Sequence, residues 1–126
     1  MIKIAPSILS ADFANLERDI HRISAADYVH VDVMDGMFVP NISIGIPVVK
    51  SLRKCTDAFL DVHLMIVHPE KYIERFARIG VSMLSFHLNA TDKPAQTLLH
   101  IRETGMQCLG NVSVTIPHRI IPMTAT

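Results

Sequence analysis

Short apolar segments with strand character alternate along this chain with segments whose apolar residues recur at helical spacing. The predicted strands are, in order, Ile2–Leu9, Tyr28–Val33, Phe59–Met65, Val81–His87 and Met106–Val114. Repeated βα units with short connections favour parallel strands covered by helices. Because such crossovers are right-handed, four units would curl into half of a barrel. The pattern therefore predicts an α/β fold.

Proline and glycine mark the expected starts and ends of the predicted helices. Pro47, Pro69 and Pro94 each stand where a helix can begin, because proline is tolerated in the first helical turn. Gly80 and Gly105 follow the second and third of these segments and predict their ends. The earliest helix would be capped by Ser10 or Asp12. Its expected buried stripe consists of Phe13, Leu16, Ile20 and Ile23.

Composition excludes several classes of function. The 126 residues make one domain at most, short for an eight-unit barrel, which usually needs about 200 residues or more. Twelve basic and twelve acidic residues cancel, so nothing favours nucleic acid or an anionic membrane surface as a partner. No apolar run reaches the roughly 20 residues of a membrane span, and the N-terminus lacks a signal-peptide layout. With Cys55 and Cys108 far apart, we expect reduced thiols in a cytoplasmic protein.

Polar side chains interrupt the apolar character of two neighbouring predicted strands. His30 and Asp32 are two residues apart and therefore share one face of their strand, while the valines between them face the other way. A parallel neighbour can bring His63 beside them. Two imidazoles and a carboxylate suit zinc, iron, manganese or cobalt. The alternative is that these groups only satisfy hydrogen bonds within the core.

Five further residues are candidates for the same site, each with a structural alternative. Asp61 could orient a metal ligand or serve as ordinary polar packing. Ser7 could bond a substrate oxygen or cap a helix. His87 ends the fourth predicted strand and could face the site, although a structural role is favoured. Met34 and Met65 would be core residues or an apolar wall that excludes water.

Long strings of this chain resemble the ribulose-phosphate 3-epimerase family over about the first 108 residues. The matching strings are APSILSADFANLE, ADYVHVDVMDGMFVPNISIG, DVHLMIVHPEKYI, MLSFHLNAT and IRETGM. The resemblance implies a TIM-barrel (β/α)8 fold, of which residues 1–126 would form a single partial domain with the first four to five βα units. It also implies an isomerase of the pentose phosphate pathway. Such an enzyme interconverts ribulose 5-phosphate and xylulose 5-phosphate by proton transfer at C3.

The resemblance assigns roles to individual positions. His30, Asp32 and His63 match three of the family's four ligands for a divalent metal cation, and Asp32 also matches one of its two acid/base carboxylates. A sugar phosphate is then the expected small-molecule partner, and a homo-oligomer is an expected assembly. The positions that match contacts to the substrate or its enediolate are Ser7, His63, Met34 and Met65.

The chain also departs from the family pattern. The family's second carboxylate, which is its fourth metal ligand, lies on the seventh strand, and its phosphate-binding glycine loops lie on the last strands. Met37 stands where a histidine is common, and Asn89 where a glutamate is common. Residues 109–126 are expected to be a divergent tail, irregular from Asn111 to Thr126, as after a truncation or a shift of reading frame.

These departures keep three alternatives open. The chain could be an inactive half-barrel that at most binds metal and needs a partner to close its sheet. It could act on a related ketose phosphate such as allulose 6-phosphate. A decarboxylating relative is disfavoured, because Val33 and Met34 stand between Asp32 and Asp35 where an aspartate–lysine–aspartate array would need lysine.

Overall fold

A four-stranded parallel sheet is the centre of the computed structural model, which describes residues 1–111. Its strands follow chain order and are β1 (Tyr28–Met34), β2 (Phe59–Met65), β3 (Met83–His87) and β4 (Gln107–Asn111). A helix precedes β1 and one helix joins each strand to the next: α1 (Leu16–Arg22), α2 (Ile46–Cys55), α3 (Ile73–Ile79) and α4 (Pro94–Glu103). The predicted α/β architecture is confirmed.

The core lies between one face of the sheet and the helices. Alternation along each strand sends apolar residues to this face, where they are almost inaccessible to solvent. The strands contribute Val29, Val31, Val33, Leu60, Val62, Leu64, Leu84 and Phe86. The helices contribute Ile20, Val49, Leu52, Ile73, Phe76 and Ile101. Burying a side chain of this size contributes about 1.5–3 kcal/mol to stability. Because a shift of one residue would expose these side chains, the layer fixes the strand register and with it the positions of the side chains on the opposite face.

The helix ends follow the predicted punctuation. Gly80 adopts a left-handed conformation with φ of 92° and donates its N–H to the carbonyls of Ala77 and Phe76, which ends α3. Pro47 and Pro94 lie in the first turns of α2 and α4. Pro69 differs, because it begins a short 3-10 turn rather than the α-helix that follows.

The prediction of a strand at residues 2–9 is wrong. This segment lies along the edge of β1 but makes only one parallel bridge to it, between Ser7 and His30. The carbonyls of Ile4 and Pro6 accept hydrogen bonds from β1. Pro6 has no N–H to return, and the N–H of Ile4 donates to the Asp27 side chain instead. The ladder is therefore incomplete, and the chain turns at Ser7.

The first helix is shorter than its stripe predicted. A 3-10 turn at Phe13–Asn15 precedes α1, and Phe13 is 45% exposed and does not belong to the buried stripe. Asp12 caps this 3-10 turn by accepting a hydrogen bond from the N–H of Ala14, whereas α1 itself begins after Asn15 without a side-chain cap.

The structure tests only part of the predictions for the C-terminal residues. β4 covers Gln107–Asn111 of the predicted strand Met106–Val114, and the rest of the predicted tail lies outside the described residues. Within residues 1–111, no helix has both the length and the apolar character needed to cross a membrane.

Candidate metal centre

The face of the sheet opposite the helices carries the predicted ligands. His30 and Asp32 point from β1, and the register of β1 with β2 pairs Asp32 with His63 and His30 with Asp61. One donor atom from each of His30, Asp32 and His63 lies within 4.8 Å of the others. The structure thus brings together the three residues whose convergence the sequence predicted.

The spacing of these donors suits a shared cation. Asp32 Oδ1 lies 3.0 Å from His30 Nε2 and 3.4 Å from His63 Nδ1. Bonds of about 2.1 Å from one ion place neighbouring ligand atoms about 3.0–3.4 Å apart, depending on the angle between the bonds. Two of the three donor pairs therefore have the spacing of ligands on one divalent cation, and the donor types suit such a cation.

Two side chains hold this cluster in place. Asp61 Oδ2 lies 2.7 Å from His30 Nδ1 and accepts its proton, which turns Nε2 toward Asp32. Ser7 Oγ donates to Asp32 Oδ2 at 2.5 Å and accepts from the N–H of Leu9 at 3.1 Å. Ser7 thus caps the following turn, which is one of its two predicted roles, and it also contacts the cluster through Asp32. Asp61 occupies the orienting place expected of it.

The electrostatics of the cluster follow from these contacts. Burial alone would lower the pKa of His30, but its hydrogen bonds to Asp32 and Asp61 prevail and raise that pKa to about 10. Burial would likewise raise the pKa of Asp32, yet the bonds from His30, His63 and Ser7 hold it well below its ordinary value. The cluster is thus built to stabilise positive charge beside Asp32.

The two predicted methionines lie beside each other at the carboxyl ends of their strands. Met34 and Met65 are register partners at the last paired position of β1 and β2. Met65 is buried and Met34 half-buried. By strand alternation both share the face of the cluster.

An aromatic stack adjoins His63. It contains His87, for which the sequence favoured a structural role, and Phe38, which the sequence did not single out. The His63 and His87 rings stack with centroids 4.9 Å apart, and their Nε2 atoms lie 2.8 Å apart. The Phe38 ring lies 5.1 Å from that of His87. His87 has the strand parity of Ser85, the register partner of His63, which was the signal for its position. Phe38 lies in a loop, where no periodicity marks it.

An apolar cavity of about 360 Å³ lies on the other side of β1 and β2. Its walls include Val33, Ile66 and Phe76, which belong to the helix-facing layer. Ser43 at its edge already bonds the backbone of Asp32 and Met34. The three candidate ligands do not line this cavity, although Met34 borders it.

The turn after β1 is tied to the turn after β2 through one carboxylate. Asp35 accepts hydrogen bonds from the N–H groups of Met37 and Phe38, each at 2.9 Å, and from that of Val67 at 2.8 Å. Desolvation would raise the pKa of Asp35, but these donors outweigh it and hold the pKa below its ordinary value. The carboxylate therefore fixes the loop that carries Phe38.

Asp35→Asn is expected to lower the free energy of unfolding at pH 7 by about 1–2 kcal/mol, because an amide N–H₂ would replace one accepting oxygen. Since the pKa of Asp35 is lower in the folded chain than its unfolded value of about 3.9, the difference should be full above that pH and shrink as pH falls through the folded pKa. Denaturant unfolding at pH 7 and in acid measures it. The exposed control Asp57→Asn should stay within about 0.5 kcal/mol. A difference that does not change with pH would contradict this role of the carboxylate.

The fold and its inner polar face define a partial α/β barrel. Its coordinates are similar to two solved structures of dihydropteroate synthase from Yersinia pestis. One has a TM-score of 0.55 at 15% identity and covers 84% of this chain and 38% of that one. The other, in complex with a sulfonamide drug, has a TM-score of 0.59 at 12% identity and covers 86% and 45%. At such low identity the likeness concerns the fold alone.

The sequence narrows this class to one family. Residues 3–124 match the ribulose-phosphate 3 epimerase family, and the chain belongs to that family. The chain is 53% identical over 108 residues to the Synechocystis sp. ribulose-phosphate 3-epimerase. The alignment covers 82% of this chain and 47% of the relative. The Bacillus subtilis enzyme of the same name is 50% identical over 109 residues, with 85% and 50% covered. The chain spans about half the length of these curated relatives.

Proposed function

We propose that this chain carries the metal site and the first acid/base carboxylate of a ribulose-phosphate 3-epimerase. The supporting observation is the convergence of His30, Asp32 and His63 donors within 4.8 Å on the inner face of the sheet. The reaction would interconvert ribulose 5-phosphate and xylulose 5-phosphate through an enediolate. In it, Asp32 would be the catalytic base, and Ser7, His63, Met34 and Met65 would surround the substrate.

The chemistry explains why these groups are needed. A proton on the carbon beside a ketone is weakly acidic, and its removal leaves negative charge on the ketone oxygen. A divalent cation held by His30, Asp32 and His63 would stabilise that charge. Asp32 is ionised and can take up the C3 proton, and Ser7 holds its second oxygen. Met34 and Met65 would provide an apolar wall that keeps water from the intermediate.

The donor set admits several metals. Two imidazole nitrogens and one carboxylate oxygen are acceptable to zinc, iron, manganese and cobalt. We propose one of these four as the cofactor, and each is to be tested separately.

Inversion at C3 requires a second acid/base group on the opposite face of the sugar. Among residues 1–111, Asp61 is the other carboxylate that contacts the cluster, and its oxygen is already bound to His30. The second group must therefore come from elsewhere. For this reason we expect the isolated 126-residue chain to epimerise far more slowly than a full-length relative.

The test separates proton removal from inversion. The chain, loaded in turn with each metal, is incubated with ribulose 5-phosphate in D₂O, and NMR follows both deuterium at C3 and xylulose 5-phosphate. We expect one metal ion per chain and metal-dependent exchange at C3, with epimerisation far below that of the Bacillus subtilis relative.

Four outcomes would contradict parts of the proposal. If the chain binds no metal, the proposed metal site is wrong. If it binds metal without exchange at C3, the chain is an inactive metal-binding half-barrel. Epimerisation at the rate of the full-length enzyme would show that the second carboxylate is within this chain. Faster exchange with allulose 6-phosphate would reassign the substrate.

We also propose a cytoplasmic location. Cys55 and Cys108 are both free thiols, as a reducing compartment favours. A rice relative, 48% identical over 108 residues, is named as a cytoplasmic isoform.

A further inference from the structure

Both ring nitrogens of His63 face another polar group. Its Nδ1 lies 3.4 Å from Asp32 Oδ1 on the side of the proposed metal, and its Nε2 lies 2.8 Å from His87 Nε2. The ring is only 7% exposed, so neighbouring side chains rather than water determine its orientation. Which nitrogen of His63 carries a proton is therefore decided within the protein.

A contact between two imidazole nitrogens at 2.8 Å requires a proton on one of them and a lone pair on the other. If His63 is to bind a metal through Nδ1, that atom must have its lone pair free. The proton of the neutral ring is then on Nε2, and His87 Nε2 is the acceptor. A His63 ring with the opposite tautomer would present an N–H to the cation.

The His87 ring contacts two other rings. It stacks on His63 with an interplanar angle of 27°, and the Phe38 ring is tilted by 44° to it with a centroid distance of 5.1 Å. The backbone N–H of Phe38 is bound by Asp35 in the turn after β1. The position of the His87 acceptor is thus set by packing against β2 and against this turn.

We propose that His87 is a positioning residue that fixes the ring and the tautomer of His63 for metal binding through Nδ1. This inference rests on the metal site proposed above. Asp61 has the corresponding relation to His30, whose Nδ1 it binds at 2.7 Å. Each histidine ligand would then be oriented by a partner on its second nitrogen, as is common at metal sites.

The first test substitutes His87 and measures cobalt binding. His87→Phe retains a ring in the stack but removes the acceptor, so Co²⁺ affinity, measured by titration calorimetry and visible absorption, should fall about 10–100-fold. His87→Gln keeps a side-chain acceptor and should recover part of the loss. His100→Phe, on the exposed side of α4 where His100 contacts Glu74, is the matched control and should leave the affinity unchanged.

The second test observes the tautomer directly in the zinc-loaded chain. Long-range ¹H–¹⁵N spectra should show the His63 proton on Nε2 in the wild type and a mixture of tautomers in His87→Phe. A purely structural role for His87 would not change this signature.

The outcomes separate the two proposals. If the wild type binds no cobalt, the metal site itself fails, whatever the spectra show. If it does bind, a His87→Phe affinity within twofold of wild type, with unchanged circular dichroism, overturns the role of His87. If His87→Phe does not fold, the cobalt affinity of His87→Gln and the wild-type spectrum test the role of His87 instead. A wild-type His63 proton on Nδ1 overturns that role in either case.

Discussion

Asp32→Asn should weaken cobalt or zinc binding by more than about 100-fold and remove metal-dependent exchange at C3. Asp32 Oδ1 is the atom that both histidine ligands approach, at 3.0 and 3.4 Å. The amide keeps the size of the side chain but removes its negative charge and its ability to take up a proton. Loss of one carboxylate therefore removes both a ligand and the proposed base.

The fold should survive this change. Asp32 lies on the inner face of β1, while the valines that pack against the helices lie on the other face. Circular dichroism close to that of the wild type would show this, while the midpoint of thermal unfolding should fall because the amide loses the charged hydrogen bonds of Asp32 with His30 and Ser7. Asp57→Asn, an exposed change of the same chemistry, should leave cobalt affinity as it is. Undiminished affinity or exchange in Asp32→Asn would remove Asp32 from the proposed site.

Much of this site could be predicted because a strand has a simple period. His30 and Asp32 share a face by being two residues apart, and parallel pairing of adjacent strands brings His63 beside Asp32. The orienting place of Asp61 follows from the same rule. Periodicity alone therefore predicted the inner polar face, and the family resemblance added the chemistry.

The other features of the structure depend on contacts that the periodicity of helices and strands does not predict. Phe38 reaches His87 because Asp35 folds the turn after β1, and nothing in the sequence marks that turn as part of the site. The segment before Ser7 looked like a strand from its apolar residues. Pro6 and the diverted N–H of Ile4 leave its ladder incomplete. The lack of available N–H donors therefore prevents a strand there, although the apolar pattern predicts one.

Phe86→Ala should lower the free energy of unfolding by about 3–5 kcal/mol, the usual cost of removing a buried aromatic ring. Phe86 is fully buried on the helix-facing side of β3, between its register partners Leu64 on β2 and Gly110 on β4. Gly110 has no side chain that could move into the space, so the cavity would persist. Because domains of this size are stable by only about 5–15 kcal/mol, the loss is a large share of the total.

Denaturant titration and thermal unfolding measure this loss, and the midpoint temperature should fall by on the order of 10 °C or more. Leu99→Ala is the control, because Leu99 is 57% exposed on α4 and its loss should change stability by no more than about 0.5 kcal/mol. Where Phe86→Ala remains folded at low temperature, its cobalt affinity should stay within a few-fold of wild type, since the metal ligands face the other side of the sheet. A cost below about 1 kcal/mol would mean that β3 is not packed against the helices, and the β2–β3 register that places His87 near His63 would lose its physical basis.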